Sequence, residues 1–228
     1  MDYLYTSFLA AIKLIISCDS DVLITVWTSL YTSTVAILLA SLLGIPVGLW
    51  LGISRFRGRR ILVTLLNTLM ALPTVVVGLL LFGLLSRQGP LGHWGLLFTP
   101  IAMILGQMVL ATPIVANFVH AAVIGADSRI LPTLRSLGAS SWQASLQLLR
   151  DIRFGVMAAV IAGFGRVIAE VGVAMMLGGN IRGTTRTMTT AIALETSKGE
   201  FAFGLSLGLI LMAVALLVNL GLNLLQQR

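Results

Sequence analysis

Between Asp21 and Arg55 the chain runs without one charged side chain, over a stretch longer than a perpendicular bilayer crossing needs. About 20 apolar residues cross the hydrocarbon, and each peptide group there must find its hydrogen-bond partner within its own segment, so a helix is dictated. The pattern recurs: apolar spans are predicted at 22–53, 61–86, 96–124, 154–177 and 201–225. Only 10% of the 228 residues are charged and the mean hydropathy is +1.01, which leaves too little polar surface to cover a soluble core. The expected fold class is an all-α membrane protein with a five-span core helical bundle.

Ahead of that bundle, residues 1–21 hold a shorter apolar piece, Tyr3 to Ser17, interrupted by Lys13. It is short for a crossing and reads as a helix lying along the membrane interface, with a sixth, strongly tilted span as the competing reading. It lacks the basic start and small-residue cleavage site of a signal peptide. Residues 22–225 form the second unit, which carries a polar segment at about 126–154. Pro73 and Pro113 read as kinks stabilised by neighbouring helices, and Trp27, Trp50 and Trp94 as interfacial anchors. The single cysteine, Cys18, excludes an intrachain disulfide and reads as inert. His93 and His120 are too isolated to suggest a metal site.

The net charge of +7 does not point to nucleic acid, because the basic residues sit between spans, where they orient helices. With Arg55, Arg57, Arg59, Arg60, Arg129, Arg135, Arg150 and Arg153 in the cytoplasm, Arg228 ends there too. Arg87 and His93 then occupy a short outer turn, and Gly178 to Glu200 an outer loop, with Asp19, Asp21, Glu195 and Glu200 on the same side. The partner this implies is membrane lipid. The chain shows no internal repeat, and an odd number of spans does not divide into the paired halves common among secondary transporters. Five helices make a thin pore, so two copies about a two-fold axis are expected.

The polar segment reads as helix, turn, helix. Pro132 stands near the start of the first helix and Gly138 at the turn, and Ser140 or Ser141 caps the second, whose Trp142, Leu146 and Leu149 share one stripe. Composition leaves two readings open: a hairpin that docks on a protein, and an amphipathic element lying on anionic lipid.

"LRSLGASSWQASLQLL" resembles the cytoplasmic loop of ABC importer permeases, whose pattern is E-A-A, three residues, Gly, and later I-x-L-P. The resemblance implies that Leu137, Gly138, Ala139, Trp142 and Leu146 belong to a coupling helix seated in a groove of an ATPase subunit. Pro132, Thr133 and Leu134 stand where E-A-A would be, and "DIRFG" replaces I-x-L-P. A second stretch, "AGFGRVIAEVGVAMMLGGNIRGTTRTMTTAIALETSKGEF", is similar to permeases of the tungstate type, relatives of the molybdate permeases. What the resemblance implies is a type I importer transmembrane domain in the cell membrane, working as a homodimer. Its partners would be two copies of an ATP-binding subunit, which hold ATP and Mg, and an extracytoplasmic oxyanion-binding protein. No G-x-x-x-x-G-K-[ST], H-E-x-x-H or G-x-S-x-G occurs, so neither an enzyme nor a cofactor site is expected in this chain itself. An ion-coupled carrier, which would run without an ATPase and collapse with an ionophore, is the competing class. An intramembrane enzyme would need a catalytic constellation that the sequence lacks.

Candidate path residues are charged or hydroxylated. Arg166 and Glu170 are four apart in the fourth span and costly in lipid, which marks them as a structural ion pair or as part of a gate. Gly163, Gly165 and Gly172 allow close helix approach in the same span. In the outer loop, Arg182, Thr185, Arg186 and Thr189 supply donors suited to an oxyanion, and a solvated loop contacting a binding protein is the other reading. Residues 187–196 are expected to form a short helix.

Overall fold

The computed structural model describes residues 2–17 and 19–226, and Cys18 and Arg228 lie outside the described residues. Among the described residues helix is the only regular structure. Three unbroken helices are long and apolar enough to cross a membrane: α2 (Ser20–Ile53), α5 (Pro100–Gly125) and α11 (Phe201–Gln226). Ahead of them α1 (Asp2–Ile16) packs on α11 and buries Ser7 and Ala11. Asp19 starts α2 by accepting the N–H groups of Asp21 and Val22 at 2.9 and 3.2 Å, which satisfies donors that a helix start leaves orphaned.

Two of the five expected spans are broken. The second consists of α3 (Arg59–Met70) and α4 (Thr74–Leu85), bent by 95°; the fourth of α8 (Arg153–Ile168) and α9 (Gly172–Gly178), bent by 60°. Pro73 explains the first break, since it has no N–H to continue the ladder and restricts the residue before it. Pro113 also stands inside a helix, yet α5 stays continuous. It is buried there, in the helix that α2 and α8 clasp from two sides.

That clasp is the centre of the bundle. Ala36, Ile37 and Ala40 of α2 meet Ala111, Val115 and Val119 of α5, and Ala159 and Val167 of α8 complete the cluster. A Cβ on Gly48 would lie 2.3 Å from the carbonyl oxygen of Ala116, so α2 and α5 approach as closely as they do only because this position is glycine. In lipid such small-residue contact is a principal source of helix association. A second cluster joins α4, α5 and α9 through Val77, Leu110 and Leu177. A third joins α2, α8 and α11 to α10 (Met188–Lys198) through Val22, Ile168, Met188 and Leu207. Leu38, Leu42, Leu79, Leu80 and Leu217 point outward, as suits a surface whose solvent is hydrocarbon. Trp27, Trp50 and Trp94 are exposed as well, in keeping with interfacial anchors.

Candidate functional site

The polar segment folds as α6 (Ile130–Ser136) and α7 (Ser141–Asp151). Gly138 makes the turn with φ +83°, a conformation that costs an L side chain roughly 1–2 kcal/mol. The turn is held by Gly138 N–H donating to Arg135 O and Ala139 N–H donating to Leu134 O, both at 3.0 Å. Ser140, rather than Ser141, caps α7: its Oγ accepts from Gln143 N–H at 3.3 Å while Gln143 Oε1 accepts from Ser140 N–H at 2.8 Å, a reciprocal capping box. Leu148 and Ile152 fasten the hairpin to Val123 at the foot of α5.

With Ala144 and Leu148 turned inward, the opposite face is free. Leu137 is 78% exposed and Trp142 75%, with Leu146 exposed beside them. Ala139 and Leu146 line a cavity of about 690 Å³ between the two helices. An exposed Trp at the tip of a capped hairpin is the kind of anchor a partner's pocket takes up. At its base, Arg129 donates to Asp127 at 2.7 Å, and these hydrogen bonds hold the Asp127 carboxyl below its ordinary value. A depressed carboxyl contributes its stability above the unfolded value of about 3.9 and loses it only as pH falls through the lower folded value. The Asp127 carboxyl therefore stays charged near neutrality.

The other site lies at the break of the fourth span. The sequence places Arg166 and Glu170 on one face of one helix; they do pair, at 2.6 Å, but α8 ends at Ile168. Glu170 is buried, at 2% side-chain exposure against 43% for Arg166. Its Oε1 accepts from Val173 N–H at 3.1 Å, at the start of α9, and its main-chain oxygen accepts from Thr189 Oγ1 at 2.8 Å. One residue thus closes α8, opens α9 and is pinned by α10. Satisfying the freed backbone groups in this way is what allows an unwound turn within a span.

The outer-loop residues are engaged elsewhere. Arg182 pairs with Asp21 at the start of α2. Thr185 Oγ1 donates to Gly178 O and accepts from Ile181 N–H, so it folds the loop on itself. Arg186 donates to Glu195 at 3.2 Å, and Lys198 reaches the same carboxylate at 3.2 Å. The short helix expected after Thr187 is α10, capped by Thr187 and held to α2 by Met188 N–H donating to Ser29 Oγ at 2.7 Å. Arg166, Glu170 and Thr189 therefore converge, whereas Thr185, Arg182 and Arg186 each serve a separate contact.

Sequence reasoning passed over α3. None of its residues is buried. Arg59, Val63, Leu66 and Met70 form its half-buried side, anchored on α5 at both ends: Arg59 Nη2 lies 3.3 Å from His120 Nε2, and Asn117 Nδ2 donates to Met70 Sδ at 3.1 Å. Ile61, Leu62, Leu65 and Leu69 make an exposed apolar side. Arg60, Thr64, Asn67 and Thr68 make an exposed polar one, and Asn67 has no partner among the described residues. The signal was the helical spacing of those four residues, hidden when 61–86 is taken as one apolar run. A polar stripe at membrane depth faces water or protein rather than lipid.

Unbroken and broken spans, a half-buried ion pair at one break and a helical hairpin packed on the foot of α5 define a multi-pass helical membrane protein. The sequence matches the family described as binding-protein-dependent transport system inner membrane component over residues 44–228, and the chain belongs to that family. It is 41% identical over 219 residues to the tungstate uptake system permease protein TupB of Campylobacter jejuni subsp. jejuni, covering 96% of this chain and 92% of that one. It is 36% identical over 219 residues to TupB of Peptoclostridium acidaminophilum, covering 96% of each. Its fold is similar to a chain of the MetNI methionine ABC transporter in an inward-facing conformation, with a TM-score of 0.76 at 18% identity over 91% of this chain and 95% of that one. The expected all-α permease fold is borne out.

Proposed function

We propose that this chain is the membrane subunit of an ATP-driven oxyanion importer, with tungstate as its cargo. The observation that carries the reading is near-full-length similarity, at 41% and 36% identity, to two tungstate uptake permeases. Two copies pair about a two-fold axis, an extracytoplasmic protein delivers the anion, and two separate ATPase subunits grip the hairpins from the cytoplasm, where the C-terminus also lies. α1 lies along the membrane interface. The ATP and Mg belong to the ATPase. Its closure moves the hairpins, and each bundle tilts as a rigid body between inward and outward openings.

In this reading the anion passes along α3. Arg60 and Asn67 offer a charge and an amide donor, while the Thr64 and Thr68 hydroxyls donate to Arg60 O and Thr64 O at 2.9 Å, which leaves too few donors to trap an oxyanion. Glu170, Arg166 and Thr189 hold the neighbouring break, and Arg182 and Arg186 shape the outer surface that meets the binding protein. The test is to purify the chain with its neighbours, reconstitute the complex in vesicles, and measure uptake of tungstate, molybdate and sulfate. ATP-dependent tungstate uptake indifferent to an ionophore is expected; uptake that needs no ATP and collapses with the ionophore overturns the reading. In the same assay Asn67→Leu should lower uptake about tenfold, the worth of roughly one hydrogen bond. Unchanged uptake removes α3 from the path.

A further inference from the structure

Where α2 and α5 reach the hairpin, a cleft of about 1140 Å³ separates their ends from α6 and α7. Its two halves differ in chemistry. Leu49 and Ile53 of α2 and Ile124 of α5 make an apolar wall, while Arg55, Arg59 and Arg135 line the other part. Asp127, a carboxylate in the same lining, is already taken by Arg129. No ion pair engages Arg55, Arg59 or Arg135 among the described residues. Arg59 is fixed against His120 through Nη2, yet its Nε is buried without a partner, a state that native proteins rarely leave unmet.

The lining selects its occupant. A small soluble anion would satisfy the arginines and leave the apolar wall uncovered. An apolar peptide would cover the wall and leave the guanidinium groups bare. An amphiphile with a phosphate head and an acyl chain matches both, and basic pockets between helices at a membrane surface are suited to such lipids.

We propose that this cleft binds an anionic phospholipid, its phosphate among Arg55, Arg59 and Arg135 and one acyl chain along α2 and α5. Because Arg135 belongs to α6 and Arg55 follows α2, the lipid bridges hairpin and bundle and couples their movement. The inference depends on neither the cargo nor the orientation of the chain; Trp142, which the docking reading gives to the ATPase, also lines the cleft, so the lipid is sought on the chain without that partner.

The test places the full-length chain in nanodiscs of equal phosphatidylglycerol and phosphatidylcholine, releases it into mild detergent, and counts retained lipid by native mass spectrometry. Selective retention of phosphatidylglycerol is expected. Arg55→Gln with Arg135→Gln should reduce it about tenfold or more, since each arginine near a lipid surface contributes appreciably to binding. Arg57→Gln with Arg150→Gln removes the same charge away from the cleft and should change retention less than about twofold. Trp50 also lines the cleft, which gives a readout that needs no arginine variant. Brominated phosphatidylglycerol should quench the unaltered chain more than brominated phosphatidylcholine does, and Trp50→Phe with Trp142→Phe, the two tryptophans of the lining, should remove the difference. Equal retention of both lipids, equal loss in the two arginine pairs, or displacement of the lipid by inorganic phosphate overturns the proposal.

Discussion

Gly138→Glu is expected to lower ATP-driven uptake about a hundredfold or more while the chain still inserts and accumulates. The residue sits at φ +83° with no other heavy atom within 4 Å of the position a Cβ would take. A side chain there meets no obstacle inside the chain, so the cost to folding is the local strain of roughly 1–2 kcal/mol. The larger cost falls on docking. A carboxylate placed between Leu137 and Trp142 must be desolvated when those two side chains enter a partner's pocket, and an unpaired interfacial charge costs about 2–5 kcal/mol. Strain and charge can be separated. Gly138→Asn, which tolerates the left-handed conformation, should stay near normal, and Gly138→Ala should fall between. Co-purification of the ATPase with each variant should follow the same order. Retained uptake by Gly138→Glu, or loss of binding in Gly138→Asn equal to that in the glutamate variant, refutes the docking role.

The hairpin was legible because its determinants are local. Gly138 supplies the turn, Ser140 and Gln143 supply the cap, and all lie within six residues of one another. The spans were legible for a similar reason, since absence of charge over bilayer length needs no tertiary knowledge. What the sequence concealed depends on distant partners. Pro73 and Pro113 look alike in the chain, but only Pro113 is buried where two helices enforce continuity, and only Pro73 breaks its span. The second break has no proline at all. It rests on Glu170, whose main-chain oxygen is met by Thr189, 19 residues onward. Arg182 offered the pattern of an anion ligand, and its partner Asp21 lies 161 residues away. No local period encodes such pairings.

Arg166 and Glu170 give the second large effect, and their unequal burial makes it asymmetric. Arg166→Gln leaves a carboxylate that is 2% exposed without its counter-charge, a defect of about 3–5 kcal/mol. Glu170→Gln leaves an arginine whose side chain is 43% exposed and can turn toward solvent, and the amide oxygen can still accept from Val173 N–H. Thermal unfolding in detergent should therefore rank Arg166→Gln as the less stable single variant, with the double variant recovering part of the loss. Glu170→Ala, which removes the ion pair and the acceptor for Val173 N–H together, should fall below Glu170→Gln. Transport should follow a different order. If the break between α8 and α9 is where the bundle yields during each cycle, Glu170→Gln lowers uptake about tenfold despite normal insertion, because the charge that holds the two helices in register is gone. The stable double variant should stay equally slow. Recovery of uptake in step with stability would reduce the pair to a strut, and full uptake by Glu170→Gln would remove its charge from the transport cycle.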